Sequence, residues 1–257
     1  MFELRHIDKV YNPGTVHETC LFRDFSLRIQ THSFVSVVGS NGSGKTSLLN
    51  ILCGSIPVDG GTILMDGRDI TQMREFRRYA RIGRVYQNPA MGTCGSMTIL
   101  ENLSMADNKG KRYGLTAGTN RRRMEDYRAM LAPLGLGLED KLGVQVAALS
   151  GGQRQTLALL MATMTPLDFL ILDEHTAALD PKTAEIVMLL TDRIVREKKL
   201  TTLMVTHNLR HAVAYGDRII MMHEGHVVLD KAGEEKKQLQ VEDLLGLFNS
   251  ISIECGN

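Results

Sequence analysis

The chain lacks tryptophan, and aromatic residues make up only 5% of it. It also lacks an excess of one charge: 30 basic against 29 acidic residues leave a net charge of +1 at pH 7. A chain so balanced is no trap for polyanions, and nucleic acid is not expected as a partner. No apolar run approaches the roughly 20 residues needed to cross a bilayer, so no membrane span is expected. Met1-Phe2-Glu3-Leu4-Arg5 passes straight into strand-like alternation, and no signal peptide is expected. Cys20, Cys53, Cys94 and Cys255 are scattered without Cys-x-x-Cys spacing. They read as reduced thiols of a cytosolic protein, neither disulfide pairs nor zinc ligands. Internal repeats and low-complexity tracts are missing as well.

What is present is enough chain, 257 residues, for one large α/β domain or one domain with an inserted subdomain. Its 14 methionines read as core filler. Strand patterning covers Phe2 to Val10, Cys20 to Ile29 and Phe34 to Val38, with Asn12-Pro13-Gly14 as a turn. A helix is expected over 45–55, stopping at Pro57. Thr62 to Met65, between Asp59-Gly60-Gly61 and Asp66-Gly67, suggests an antiparallel hairpin. Arginines 74, 77, 78, 81 and 84 fall mostly on one helix face, which reads as solvated. A short strand over 82–86 leads to Gln87. Residues 88–160 turn helical and irregular, with loops at 90–96 and 108–119 and a helix from Arg121 through Leu131. Phe169 to Leu172 and Thr202 to Val205 flank a helix over 181–198, a βαβ unit of a parallel sheet. Ile219 to Met222 and Val227 to Leu229 flank a Glu224-Gly225 turn, and a last helix is expected near 241–249.

The most informative stretch is Gly39-Ser40-Asn41-Gly42-Ser43-Gly44-Lys45-Thr46-Ser47, between an apolar strand and a helical pattern. Strand, glycine-rich turn and helix start form the setting in which G-x-x-x-x-G-K-[ST] means a phosphate-binding loop. Glycines let backbone N–H groups curl around phosphate oxygens, and the helix N-terminus adds partial positive charge. Lys45 would bridge the β- and γ-phosphates, and the Thr46 hydroxyl would ligate Mg²⁺. The competing reading is an ordinary Gly/Ser turn ahead of a core helix. Further along, Ser150-Gly151-Gly152-Gln153 opens a helix and forms a second anion cradle on the same backbone physics. Phe169-Leu170-Ile171-Leu172 delivers Asp173 and Glu174 at a strand end.

Leu149-Ser150-Gly151-Gly152-Gln153, between a P-loop and an apolar strand ending Asp-Glu, resembles the signature of the ABC (ATP-binding cassette) ATPases. The resemblance covers essentially the whole chain. It implies an α/β P-loop NTPase with a mixed, mainly parallel core sheet, an antiparallel β subdomain and an inserted α-helical subdomain. One cassette over 1–257 follows, with 1–87 and 161–257 as nucleotide-binding core and 88–160 as helical signature subdomain. By position, Asp173 would hold Mg²⁺ through water, Glu174 would be the general base, and Gln87 would touch Mg²⁺ or the lytic water. His207 matches the switch histidine, Asp180 the loop that reaches across a dimer, and Tyr11 the aromatic that stacks on adenine. A packed strand-end tyrosine is the competing reading of Tyr11.

Two positions depart from the family pattern. His175 stands where proline is usual after the Asp-Glu pair, which would loosen the turn or add a titratable group near the interface. Thr46-Ser47 replaces the commoner Ser-Thr, with both hydroxyls kept.

The resemblance further implies ATP and Mg²⁺ as cofactors and a second copy as partner, closing Lys45 of one chain with Ser150 and Gly152 of the other. It implies transmembrane permease subunits docking near 88–105 and an extracytoplasmic solute-binding protein, with the chain peripheral on the cytoplasmic face of a bacterial plasma membrane. The compact single cassette is similar to importer subunits. Asn12 to Val16, Asp173 to Lys182 and His223 to Asp230 resemble a subgroup linked to amino-acid, including aromatic amino-acid, uptake. An ABC ATPase that transmits force to an envelope complex is the alternative.

Overall fold

The computed structural model describes residues 1–111 and 118–254, with side chains described as far as residue 250. Two sheets share the work. A four-stranded antiparallel sheet runs in the order β2 (Thr19–Ile29), β1 (Phe2–Tyr11), β4 (Gly60–Met65), β5 (Arg68–Asp69). A six-stranded sheet has the order β10 (His226–Ala232), β9 (Arg218–His223), β3 (Phe34–Gly39), β8 (Thr202–Val205), β7 (Phe169–Asp173), β6 (Ile82–Val85). Strands β9, β3, β8, β7 and β6 are parallel and only β10 runs against its neighbour. The expected mixed, mainly parallel core sheet with a separate antiparallel sheet is the observed architecture.

The parallel strands read as unbroken apolar runs because both faces are covered. On one face α1 (Lys45–Cys53) packs between the two sheets, burying Leu48, Leu49, Ile51 and Leu52 against Phe2, Ile29 and Phe169. On the other lie α5 (Gly151–Thr163) and α6 (Pro181–Glu197), with Leu157, Leu159, Met188 and Ile194 against Leu170, Leu172 and Met204. Between β6 and β7 the chain leaves the sheet through α3 (Ile99–Asp107) and α4 (Met124–Leu131) before returning along α5. Thr98 and Glu101 form a capping box that starts α3. The remaining helices are α2 (Glu75–Tyr79), α7 (Leu209–Ala214), α8 (Gly233–Gln238) and α9 (Val241–Glu254).

Three local expectations shift. Helix α1 ends before Pro57, because Gly54 takes the left-handed conformation at φ 83° and caps the carbonyls of Asn50 and Ile51. The arginine-rich stretch forms only the short helix α2, and it is not simply solvated. Arg78 is 2% exposed and donates to the carbonyls of Ile51, Leu52, Ile70, Thr71 and Met73. Arg84 is also inside, and Arg81 pairs with Asp168. The helix expected from Arg121 begins as a 3₁₀ turn before α4. Residues 112–117 of the loop expected over 108–119 lie outside the described residues, as does Cys255. Cys20, Cys53 and Cys94 are free thiols.

Candidate functional site

The carboxyl ends of β3, β7 and β8 set the site, because parallel strands bring their C-terminal loops to one edge. Leaving β3, the loop 39–47 wraps back into α1. Gly39 has no alternative there: a Cβ would lie 2.3 Å from the Met222 carbonyl oxygen. Gly44, at φ 99°, forms the helix N-cap with no side chain in the way, so the first N–H groups of α1 face outward. Lys45 is buried, and its ammonium donates to the carbonyls of Gly39 at 2.7 Å and Ser40 at 2.8 Å and to Ser43 Oγ at 3.3 Å. Burial pushes its pKa down, while the nearby Glu174 charge works the other way.

Around this loop lies a pocket of about 320 Å³ lined by Tyr11, Asn41 to Ser47, Glu174 and His207. Tyr11 donates its hydroxyl to Ser47 Oγ at 3.0 Å, which fixes the ring at the pocket wall. Glu174 follows the last residue of β7 at φ 48°, a left-handed conformation that costs a non-glycine residue about 1 kcal/mol. Its N–H is tied to the Val205 carbonyl, so the strained backbone is held by the neighbouring strand. His207, just past β8, places Nε2 2.7 Å from Glu174 Oε1. A carboxylate and an imidazole in contact beside a phosphate cradle are the parts of a general-base pair.

Asp173 and Gln87 line an adjoining cavity of about 410 Å³ with Asn50, Arg84 and Tyr86. Among the described residues no group of three or more His, Cys, Asp or Glu could cage a metal ion. The Thr46 hydroxyl, the Asp173 carboxylate and the Gln87 amide are oxygen donors suited to Mg²⁺, which keeps water and takes phosphate as further ligands. The donor set therefore fits that cation.

The signature residues do not line either cavity. Ser150 and Gln153 form a reciprocal capping box at the start of α5, and Gln153 also donates to the Leu136 carbonyl. Gln153, expected at the nucleotide, thus has a local structural job on the cradle. Gly151 and Gly152 sit against the start of α6: a Cβ on Gly152 would lie 2.2 Å from Thr183 Cγ2, and one on Gly151 3.3 Å from Leu179 Cδ2. Asp180 is exposed and caps α6 through the Thr183 N–H, and these Thr183 hydrogen bonds hold its carboxyl below the usual range. Signature and Asp180 loop therefore form one ridge, apart from the P-loop pocket.

His175 turns into the core. It is 2% exposed, with Nε2 3.1 Å from Thr191 Oγ1 on α6. Arg84, which sequence reasoning placed on a solvated face, contacts Asp173 at 2.6 Å. Its one sequence signal was a charge inside the apolar run Ile82–Val85, three residues before Gln87.

The ABC transporter family model matches residues 22–177. A tyrosine transport ATP-binding protein of Clostridioides difficile is 46% identical over 96% of this chain and 98% of its own length. The spermidine/putrescine import ATP-binding protein PotA of Pasteurella multocida is 32% identical, and the match spans 97% of this chain but 64% of that longer protein. Among solved structures, a dimeric post-hydrolysis ATP-binding cassette bound to ADP and Pi superposes with a TM-score of 0.76. It shares 27% identity over 90% of this chain and 98% of that one. With P-loop, Asp-Glu strand end and signature on that fold, the chain belongs to the ABC transporter family and is one of its ATP-hydrolysing, ATP-binding subunits.

Proposed function

We propose that this chain powers uptake of an amino acid, with tyrosine as the leading solute, by closing two copies head-to-tail over two ATP molecules. The observation that carries the closing step is the separation of the two anion cradles. The P-loop and Glu174 share a pocket, whereas Ser150 to Gly152 sit on a ridge with Asp180 and line no part of that pocket. A second copy brings its ridge over the first copy's P-loop, and the two-fold arrangement makes both sites whole. Closure on the γ-phosphate and release on its loss is a nucleotide switch acting on subunit geometry.

Each residue has a role in that reading. Glycines and N–H groups over 39–44 with Ser47 cradle the phosphates, Lys45 neutralises them, and Tyr11 stacks on the base. Glu174 takes a proton from the attacking water, with His207 orienting it through the 2.7 Å contact. Bound through Thr46, Asp173 and Gln87, Mg²⁺ would offset phosphate charge. Ser150, Gly151 and Gly152, held by Gln153, complete the partner's site, and Asp180 faces it.

Permease subunits are the membrane partners in this reading, and no helix among the described residues is long and apolar enough to span a bilayer. A groove of about 200 Å³ between β6 and α5, lined by Tyr79, Tyr86, Gly92, Ala106 and Met161, offers a cytoplasmic permease helix a seat. An extracytoplasmic solute-binding protein would complete the complex. The relatives' names as transport and import proteins favour this reading over force transmission to an envelope complex. The test is reconstitution of the chain in proteoliposomes with the permease and binding protein encoded beside it. Tyrosine-stimulated ATP turnover and tyrosine accumulation are expected; stimulation by a non-aromatic solute alone would reject tyrosine.

A further inference from the structure

Arg84 is a full positive charge on an inward-facing strand position, and nothing in the roles above uses it. Its side chain is 8% exposed and makes an ion pair with Asp173 Oδ2 at 2.6 Å. One guanidinium nitrogen also donates to Asn50 Oδ1 on α1 at 2.9 Å and approaches Cys53 Sγ at 3.9 Å. Its Cζ lies 4.7 Å from the Tyr86 ring centroid, and Tyr86 precedes Gln87. The Tyr86 carbonyl is itself held by Gln155 of α5. Among the described residues Arg84 Nε finds no hydrogen-bond partner. The head group therefore sits in the cavity shared by Asp173 and Gln87, held there by β7, α1 and Tyr86.

We propose that Arg84 is a resident counter-cation for Asp173, a positioning residue that pins one carboxylate oxygen and weakens the carboxylate's pull on a divalent metal. The inference rests on the reading of Asp173 as the metal-side carboxylate. Two effects oppose each other. Pinning orients the free oxygen and favours a metal, whereas the guanidinium charge repels one. A charge-assisted contact at this distance cancels much of the carboxylate's field, and in a partly buried cavity the repulsion is screened less than in bulk water. Repulsion is therefore the larger effect, and metal stays exchangeable with each nucleotide. A guanidinium stays protonated at any working pH, so the counter-cation is permanent.

The experiment measures mant-ATP affinity of the full chain by fluorescence, in EDTA and in Mg²⁺, and takes the ratio of the two dissociation constants. Variants are Arg84→Met, Arg84→Gln, Arg84→Lys and Asp173→Asn. Losing the charge is expected to raise the Mg²⁺ ratio about tenfold in Arg84→Met and Arg84→Gln. Arg84→Lys, which keeps the charge, is expected to stay within about threefold of wild type. A merely structural arginine would weaken affinity equally in EDTA and Mg²⁺ and leave the ratio alone. An unchanged or smaller ratio in the folded Met or Gln variant overturns the counter-cation role. Asp173→Asn separates the two claims: a lowered ratio upholds Asp173 as the metal-side carboxylate, so a failure at Arg84 then stands by itself. An unchanged ratio in Asp173→Asn would bring down both.

Discussion

Acidification should strike this protein first at His175. The imidazole is enclosed by the core, and the hydrogen-bond network assigns its tautomer. Thr191 spends its one hydroxyl proton on the Val187 carbonyl at 2.7 Å, so it can only accept from His175 Nε2–H. Burial, reinforced by the nearby His211, pushes the ring's pKa down to about 3, so the imidazole stays neutral. His211 in turn faces Glu185, 3.4 Å away. In the unfolded chain His175 titrates near 6.5, so below that pH the unfolded state binds a proton that the folded state refuses. Stability tied to this group is full above pH 6.5 and is lost as pH falls from about 6.5 towards 3. Between pH 7 and pH 5 the loss is about 1.5 pH units' worth, or about 2 kcal/mol. Urea unfolding at both pH values, on wild type and His175→Leu, checks this. Leucine fills the site without a titrating group, and Thr191 keeps its donor bond to Val187. The wild type should lose about 2 kcal/mol more than the variant between the two pH values. Parallel losses in the two proteins would show that His175 protonates freely in the folded state and would refute the burial argument.

Two further outcomes follow from the geometry. Arg78→Met should destabilise the fold by about 3 kcal/mol or more in urea unfolding, because it strips a buried donor from the carbonyls of Ile51, Leu52, Ile70 and Thr71 together; a cost under about 1 kcal/mol would mean water replaces the guanidinium. Tyr11→Ala should weaken mant-ATP binding roughly tenfold, the scale of one lost base stack, while Tyr11→Phe, which loses only the bond to Ser47, should stay near wild type. Equal losses in both would make the hydroxyl, not the ring, the binding element.

The P-loop, the Asp-Glu strand end and the strands around them were legible in sequence because each is local. An apolar run ends, glycines turn the chain, and a helix begins, all within contiguous residues. Burial of the polar residues was not local. Arg78 and Arg84 share helical spacing with exposed arginines, yet one caps the end of α1 and the other meets Asp173 across the β6–β7 pair. Both partners lie far away in sequence. His175 was visible as a departure, but the contact with α6 that buries it was not. The end of α1 shows how near competitors mislead: Gly54 stops the helix before Pro57 is reached. Gln153 carries a similar lesson, since the capping box it forms with Ser150 is written in the Ser-x-x-Gln spacing itself.

The central claim is that one chain holds half of each ATP site and a second copy supplies the signature. Sedimentation of Glu174→Gln with and without ATP tests it, alongside the double variant Glu174→Gln with Ser150→Arg, with mant-ATP binding measured on both. Glu174→Gln should become dimeric only with ATP. The double variant should bind mant-ATP with the affinity of the Glu174→Gln monomer yet remain monomeric, because its own P-loop pocket is intact and its ridge can no longer close another. A Glu174→Gln chain that stays monomeric in ATP, or a Ser150→Arg change that abolishes nucleotide binding by the monomer, would contradict the shared site.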